Sequence, residues 1–279
     1  MKPILRLHVV LFSCYCLSLL SCSTNHTWHS VGPYKQDQFF SHNLDCAGEI
    51  DAMAFSENYD GEATSAMYIA GPGSGVWRST NFMSSDPVWV PLTDHIPIYS
   101  ELDPETDMRI HQDINNISTI AVDPSFPRRI YAGTVSSYSV ILRSDDGGKN
   151  WSIIDANAFG NKVGVSKIVV DPTGILYVAG AGGIWKQDSP AGNTFTNIAL
   201  KANPSFHDVE YHDMVFSSNG IGQPISLYVA VIDRNTPLRP QSGIWLFENG
   251  SWSKMNMELF NLQSLRFQYE DINRIKLYA

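Results

Sequence analysis

The stretch Ile130-Tyr131-Ala132-Gly133-Thr134 decides the fold, because near copies of it return along the chain. Each copy sets a tyrosine between an apolar residue and small residues, a pattern typical of a short buried strand. The tyrosines recur at roughly 50 residues, an interval that indicates a repeat protein. The other copies are Met67 to Gly71, Leu176 to Gly180 and Leu227 to Val231.

Each tyrosine strand has three companion segments. The alternating apolar segments before it are Ile50 to Phe55, Ile117 to Val122, Val165 to Val170 and His212 to Phe216. The units directly after it are Gly75 to Ser79, Val140 to Ser144, Gly183 to Lys186 and Gly243 to Leu246. Each repeat then closes on a turn and an aromatic residue, which is Trp89, Trp151, Phe195 or Trp252. Four short strands per repeat, with no helical periodicity, predict an all-β protein: a β-propeller of four-stranded antiparallel blades.

The C-terminal residues begin a further repeat. Four blades are readable, and Ile272 to Leu277 resembles the first strand of a fifth. Because a propeller closes by contact between its last and first blades, a chain that ends on an innermost strand leaves edges open. We therefore expect a propeller over residues 31–279 that is incomplete at its C-terminus. The alternative is that the terminal strand completes an earlier blade.

The stretch Ser144 to Trp151 reads Ser-Asp-Asp-Gly-Gly-Lys-Asn-Trp and resembles the Asp-box turn. This turn occurs in sialidase-like (BNR repeat) and sortilin-like propellers, usually with Thr in the place of Asn150. We expect the Asp146 carboxylate to accept hydrogen bonds from turn amides and Gly148 to adopt a positive φ. Trp151 should pack between sheets. The resemblance makes Ser144, Asp146, Gly148 and Trp151 structural residues.

Three other turns are weaker copies of this motif. Asp188 to Phe195 resembles a stretched second Asp-box. Ser79 to Asn81, leading to Trp89, and Glu248 to Trp252 are degenerate copies without the Asp.

The longest blade-to-blade connection, Thr93 to Asn116, is dense in charged and histidine side chains. In the propellers that the chain resembles, ligands bind at the face bearing such connections, opposite the Asp-boxes. Long loops are often functional, and paired carboxylates could act on a glycosidic bond or His95 and His111 could hold a metal with an Asp. A solvated linker is the plainer interpretation. The candidate ligand-face residues are Glu101, Asp103, Asp107, Arg109 and His111, and Asp233 to Pro240 is a second polar segment on that face.

The sequence assigns no catalytic residue, metal site or cofactor. The Arg-Ile-Pro motif of sialidases is absent, its nearest match being His95-Ile96-Pro97. The two catalytic aspartates of xyloglucanase-like relatives cannot be placed without geometry. Our first hypothesis is a non-catalytic propeller that binds a protein or a glycan. A sialidase-like or xyloglucanase-like glycoside hydrolase is the alternative, and a third possibility is a chaperone like the Asp-box factors that help to build photosynthetic complexes.

The N-terminus has the pattern of an export signal. Lys2 and Arg6 precede the apolar run Leu7 to Leu20, which is short for a membrane span. Leu19-Leu20-Ser21-Cys22 resembles the bacterial lipoprotein box, which implies cleavage after Ser21 and a lipid on Cys22. We therefore expect a signal peptide at residues 1–21, a tether at 22–30 and a lipoprotein at the outer membrane or cell surface. An ordinary signal with an incidental cysteine is the alternative.

The net charge and the cysteine content limit which partners the chain can bind and which disulfides it can form. The chain has 19 Lys+Arg against 28 Asp+Glu, a formal net charge of -9, which argues against a nucleic-acid partner. Membrane attachment would therefore depend on acyl chains rather than on charge. Once the signal is removed and Cys22 carries the lipid, Cys46 has no partner for a disulfide.

Overall fold

The computed structural model describes residues 50–57, 65–96, 99–102, 109–112, 114–135, 140–154, 164–180, 183–199, 209–218, 225–233, 242–255, 266–271 and 274–278. All regular elements in these ranges are β-strands. None of the described residues belongs to a helix with the length and hydrophobicity of a membrane span.

Four antiparallel sheets of four strands follow one another along the chain, and within each sheet every strand pairs with the next. Blade 1 contains β1 (Ala52–Ser56), β2 (Ala66–Gly71), β3 (Gly75–Ser79) and β4 (Val90–Pro91). A hairpin follows, made of β5 (Tyr99–Leu102) and β6 (Arg109–Gln112). Blade 2 contains β7 (Ile117–Val122), β8 (Ile130–Thr134), β9 (Ile141–Ser144) and β10 (Ser152–Ile154). Blade 3 contains β11 (Val165–Val170), β12 (Leu176–Gly180), β13 (Gly183–Gln187) and β14 (Phe195–Asn197).

Blade 4 contains β15 (Val209–Ser218), β16 (Ile225–Asp233), β17 (Gly243–Glu248) and β18 (Ser251–Lys254). A second hairpin, of β19 (Arg266–Asp271) and β20 (Arg274–Tyr278), comes last. The chain is thus an all-β propeller with four four-stranded antiparallel blades and the beginning of a fifth, as the repeat predicted.

The hydrophobic core lies between neighbouring blades. The first strands contact one another in the order β1, β7, β11 and β15, so these are the innermost strands. The repeated tyrosine of the second strand packs into the cluster shared with the following blade: Tyr68 against blade 2, Tyr131 against blade 3 and Tyr177 against blade 4. The tyrosines that define the repeat therefore also join each blade to the next.

The fifth blade begins earlier than predicted. The expectation that Ile272 to Leu277 forms its first strand is wrong, because β20 is the second strand of a hairpin and β19 precedes it. β19 contacts β15, as a first strand does in each earlier blade. The sequence held a signal for this register, since Leu277-Tyr278 repeats the Leu-Tyr pair at the tyrosine strands of blades 3 and 4.

The strand order gives every blade two distinct ends. The connection end, as we name it, carries the turns between second and third strands and the connections to the next blade. The opposite turn end carries the other two hairpin turns of each blade. At the connection end of blade 1, Gly75 (φ 65) lies against the Thr93 hydroxyl, and a Cβ built on it would meet that oxygen at 2.1 Å. Only glycine fits there, because backbone conformation and space both exclude a side chain.

Candidate functional site

The charged connection between blades 1 and 2 contains the hairpin of β5 and β6, which the sequence analysis treated as a loop. In its ladder Glu101 pairs with Ile110 and Leu102 with Arg109, while His111 pairs with Ser100. Strand pairing therefore places three candidate ligand-face residues in one ladder. Asp103 and Asp107, the other two, lie outside the described residues.

A β-bulge recurs in the first strand of consecutive blades. The pairing with the second strand shifts between Ile117 and Thr119 in blade 2 and between Val165 and Lys167 in blade 3. It shifts again between Tyr211 and Asp213 in blade 4, and between Tyr269 and Asp271 in β19. The residues that the bulges leave without a ladder partner are Ser118, Ser166, His212 and Glu270. Recurring bulges re-aim side chains and are frequent beside functional sites.

The bulges lie toward the connection end, because in blades 2 and 3 they fall at the start of the first strand. Ser118 Oγ donates a hydrogen bond to the carbonyl of Val165 in the next blade, at 2.6 Å. Ser166 Oγ donates in the same way to the carbonyl of Tyr211 in blade 4. Each serine thus contacts the residue directly before the next bulge, which holds the bulged segments of three blades beside one another.

Blade 4 adds charged groups to this row. Its bulged residue, His212, places Nε2 2.8 Å from Oε2 of Glu210. Lys167 of blade 3 reaches across to Asp213, with Nζ 2.8 Å from Oδ1. The Asp213 carboxyl is only 8% exposed and also accepts a hydrogen bond from the amide of Met214. Together these groups form what we call the bulge cluster: Ser118, Ser166, Lys167, Glu210, His212 and Asp213.

The bulge cluster offers hydroxyl, imidazole, ammonium and carboxylate groups at one end of neighbouring blades. Ser166 is exposed, and His212 and Glu210 are partly exposed, so a polar ligand can reach them. Among the described residues there is no group of three or more His, Cys, Asp or Glu that could hold a metal ion. The chemistry on offer is hydrogen bonding and ion pairing with a polar molecule.

The sequence analysis did not find the bulge cluster. Its residues come from different repeats and share no residue type, since the equivalent positions are Ser, Ser and His. The common feature is an extra residue in the pairing register, which only strand pairing reveals. Asp233 to Pro240 was an expected contributor to the same end, but the structure describes only Asp233 of this segment. Asp233 is buried, pairs with Val209 in the ladder of β15 and β16, and donates its backbone N–H to Ser242 Oγ.

The turn end carries the motif that resembles an Asp-box. Asp146 Oδ1 accepts hydrogen bonds from the amides of Lys149 and Asn150 at 3.0 and 2.9 Å, and from Ser144 Oγ at 2.8 Å. Ser144 Oγ in turn accepts from the amide of Gly148, which has φ 90. Burial pushes the pKa of Asp146 up, but the hydrogen bonds from Asn150, Ser144 and Lys149 outweigh it and lower the pKa to about 2. All these partners belong to the turn, so Asp146 acts locally.

The degenerate copy in blade 1 uses an asparagine in the same way. Ser79 Oγ donates to Asn81 Oδ1 at 3.1 Å, as Ser144 donates to Asp146. The same amide oxygen accepts the backbone N–H of Val88 at 2.8 Å, just before the aromatic residue of that repeat. The carboxamide of Asn81 therefore replaces the carboxylate without its charge.

Arginines join these turns from blade to blade. Arg78 of blade 1 donates to the carbonyl of Gly147 in blade 2 at 2.6 Å, and Arg143 of blade 2 donates to the carbonyl of Ala191 in blade 3 at the same distance. Gly147 and Ala191 both have positive φ, 77 and 59. The stretched copy at Asp188 to Phe195 thus presents a carbonyl equivalent to that of the turn in blade 2.

An ion-pair network supports the turn of blade 2. Asp145 pairs with Arg129 and Arg143, and Arg129 also pairs with Asp123 at 3.1 Å. Burial alone would raise the pKa of Asp145. The hydrogen bonds from Arg143 and Arg129 outweigh burial, so the pKa is lowered. Every charge in this network has an opposite partner, so the network stabilises the turn of blade 2.

The solved structures that resemble this chain include three with TM-scores between 0.50 and 0.53. One is the GH74 xyloglucanase of Xanthomonas campestris, with a TM-score of 0.53 and 19% identity over 80% of this chain and 32% of that chain. Another is the extracellular domain of BT4673 from B. thetaiotaomicron, with a TM-score of 0.51 and 13% identity over 88% of this chain and 29% of that chain. The Dos1 propeller has a TM-score of 0.50 and 13% identity over 78% of this chain and 51% of that chain.

These likenesses establish the propeller fold. Comparison with family models gave no match, and comparison with curated proteins gave none either. The chain spans about a third of the length of the xyloglucanase and about half of that of the Dos1 propeller. Because one fold carries many functions, the activities of these proteins do not pass to this chain with the fold.

Proposed function

We propose that this chain is an exported, lipid-anchored propeller that binds a protein or glycan ligand at its connection end and catalyses no reaction. The observation that carries the proposal is the recurring bulge, which sets Ser118, Ser166 and His212 at one end of three successive blades. Polar groups held by a rigid sheet are suited to recognising a polar ligand, because they need little ordering when it binds.

The pairing of the acidic groups argues for binding rather than hydrolysis. Glycoside hydrolases need two carboxyl groups that act on opposite sides of one bond, one of them able to give a proton. In the bulge cluster Asp213 is paired with Lys167 and Glu210 with His212. The Asp213 carboxylate is 8% exposed and contacts the Lys167 ammonium group at 2.8 Å, a geometry in which it does not face a glycosidic bond.

Glycoside hydrolysis is the second candidate, and the hairpin of β5 and β6 favours it. Strand pairing in that hairpin brings Glu101, Arg109 and His111 into one structured segment of the blade connection. Asp103 and Asp107 belong to the same connection in sequence. Turnover, if present, should then depend on these carboxylates.

The two candidates are separated by a turnover assay on the mature protein with xyloglucan, aryl glycosides and sialyl conjugates. The binding proposal predicts retention of a glycan or peptide from a defined panel and no released product. Product release that disappears in Asp103→Asn or Asp107→Asn would overturn it in favour of the hydrolase. Glu57→Gln, in blade 1, is a matched control for a lost carboxylate elsewhere.

The anchor rests on the sequence around Cys22. A signal peptide at 1–21, a tether at 22–30 and a propeller from residue 31 would place the ligand-binding end outside the cytoplasm. Expression in a bacterial host tests this: we expect the mature protein in the membrane fraction with the added mass of lipid. Cys22→Ala should abolish the lipid, whereas Cys46→Ala should leave it in place. A Cys22→Ala protein that still carries the added mass of lipid and stays in the membrane fraction would contradict the anchor.

A further inference from the structure

The bulged serines of the connection end can only accept hydrogen bonds from a ligand. A serine hydroxyl has one proton to donate and two lone pairs with which to accept. Ser118 Oγ donates its proton to the carbonyl of Val165 at 2.6 Å, and Ser166 Oγ donates its proton to the carbonyl of Tyr211. Because both protons are used between the blades, each oxygen offers only lone pairs to a molecule that arrives from solvent. A group that bonds to these hydroxyls therefore has to be a donor.

The bulged histidine of blade 4 offers an acceptor as well. His212 Nε2 lies 2.8 Å from Glu210 Oε2, and an ionised carboxylate can accept a hydrogen bond but not donate one. The imidazole therefore donates Nε2–H in this contact, and the other nitrogen of the neutral ring, Nδ1, is an acceptor. The bulges of three successive blades thus supply acceptors to a ligand, at Ser118, Ser166 and His212.

The charges of the bulge cluster favour a cation. Two carboxylates, those of Glu210 and Asp213, stand beside one ammonium group, that of Lys167. The ammonium group contacts Asp213 Oδ1 at 2.8 Å, so its charge is balanced within the cluster. The Asp213 side chain is 8% exposed and that of Glu210 is 36% exposed, so solvent reaches the Glu210 carboxylate more readily. With histidine counted as neutral, the cluster and the whole chain are both negative, which attracts cations and repels anions.

An exposed apolar residue lies beside the acceptors. Val135, at the connection end of blade 2, is 44% exposed. Its N–H donates to the carbonyl of Asn116 at 2.9 Å, and its own carbonyl accepts Nδ2–H of the same asparagine at 3.0 Å. These two bonds hold Val135 against Asn116, which stands two residues before the bulged Ser118. Lysine and arginine side chains combine an apolar stem with a cationic head that only donates, so this surface suits both parts of such a side chain.

Other ligand chemistries fit these groups less well. Carboxylates and phosphates only accept hydrogen bonds, so the side chains of the bulged residues supply them with no donor. Sugar hydroxyls both donate and accept, and the bulged residues would satisfy only their donors. We propose, in an inference that rests on the function proposed above, that the connection end recognises a basic segment of a protein ligand. Lysine or arginine side chains of that segment donate hydrogen bonds to the bulged residues and to Glu210.

Fluorescence anisotropy with labelled peptides tests this on the mature protein. The probes are end-capped Gly-Ser peptides of equal length that carry lysines, glutamates or neither. We expect the lysine peptide to bind at least about tenfold more tightly than the other two, because hydrogen bonds to a charged group contribute about that factor. Glu210→Gln should weaken its binding about tenfold for the same reason. Glu57→Gln removes the same charge at the turn end of blade 1 and should leave binding unchanged. Equal affinities of the three peptides, or equal effects of the two variants, would overturn the proposal.

Glycan titrations separate failure of the basic ligand from failure of the ligand site itself. Xyloglucan oligosaccharide, sialyllactose and the lysine peptide are each titrated against the wild type and against Ser166→Arg, a substitution at an exposed position. We expect neither glycan to bind, and we expect Ser166→Arg to weaken binding of the lysine peptide about tenfold or more through repulsion of like charges. A glycan that binds more tightly than the lysine peptide and is lost in Ser166→Arg would overturn the basic ligand and keep the site. Binding of the lysine peptide that Ser166→Arg leaves unchanged would overturn both. Glu210→Gln keeps the shape of its side chain, so its result does not depend on whether Ser166→Arg folds.

Discussion

The indole N–H of Trp151 donates to the carbonyl of Leu92 at 2.8 Å, and Gly148 lies against the side chain of the same leucine. The last residue of the Asp-box-like turn therefore reaches out of its own blade and holds the end of the blade before it. Trp252 of blade 4 makes the same contact with the carbonyl of Ile198. Phe195 of blade 3 cannot, because its side chain has no N–H to donate. In blades 2 and 4 the aromatic residue that closes the repeat therefore joins two blades as well as filling a core.

Trp151→Phe should lower the free energy of unfolding by about 1 kcal/mol, because it removes one buried hydrogen bond and keeps most of the ring contacts. Trp151→Ala should cost more, about 3–5 kcal/mol, since it also leaves a cavity. Urea denaturation followed by circular dichroism measures both. Equal stability of Trp151→Phe and the wild type would show that the bond to Leu92 contributes nothing.

Gly133→Ala should destabilise the junction between blades 2 and 3. A Cβ at Gly133 would lie 2.6 Å from Val165 Cγ1 and 2.8 Å from Thr119 Cγ2, so the neighbouring strands must shift. Overpacking of this kind costs about 1–3 kcal/mol. Gly164→Ala is the matched control, because nothing lies within 4 Å of its built Cβ. Thermal melting should separate the two variants, and similar melting temperatures would refute the close packing of these blades.

Asp146→Asn should remove a pH-dependent part of the stability. The folded-state pKa of Asp146 is lowered from 3.8 to about 2, so its contribution is complete above about pH 4 and is lost as the pH falls toward 2. After allowance for solvent screening we expect about 1–2 kcal/mol at neutral pH. Denaturation at pH 6, 4 and 2.5 should show the wild type approaching the variant in acid. A constant difference across that range would contradict the role of the charge.

Lys167→Met should destabilise the contact between blades 3 and 4. It removes the ammonium partner of the buried Asp213 carboxyl, at a cost of about 1–3 kcal/mol because Lys167 itself is partly exposed. Lys149→Met, at an exposed position of the turn end, should stay close to the wild type. In the double variant Lys167→Met/Asp213→Leu much of the loss should be recovered, because no buried charge remains. A double variant less stable than Lys167→Met would show that Asp213 is held by other contacts.

Strand positions could be predicted from the sequence because each repeat carries the same local signals. The apolar segments Ile117 to Val122 and Val165 to Val170 coincide with β7 and β11. The start of the fifth blade was misplaced because Arg266 to Asp271 is largely polar: two aromatic residues, Phe267 and Tyr269, alternate with polar ones, and the aliphatic residues of the other first strands are missing. In the last hairpin, the Leu277-Tyr278 pair alone indicated that β20 is the second strand of its blade.

The bulge cluster could not be predicted for a different reason. A bulge is a mismatch between two strands, so Ser118 and Ser166 look like ordinary strand residues in the sequence. The pairing of Lys167 with Asp213 joins two blades and depends on their packing. The blade connections directed the sequence analysis to the connection end, whereas the side chains of the bulge cluster at that end follow from strand register.

The central claim is that the connection end binds the ligand. The most direct measurement is calorimetric titration of the glycan or peptide retained from the panel against two surface variants, Ser166→Arg at the connection end and Lys149→Glu at the turn end. We predict that Ser166→Arg weakens binding at least about tenfold, while Lys149→Glu binds as the wild type does. Loss of binding in Lys149→Glu with normal binding in Ser166→Arg would place the ligand at the turn end and contradict the account.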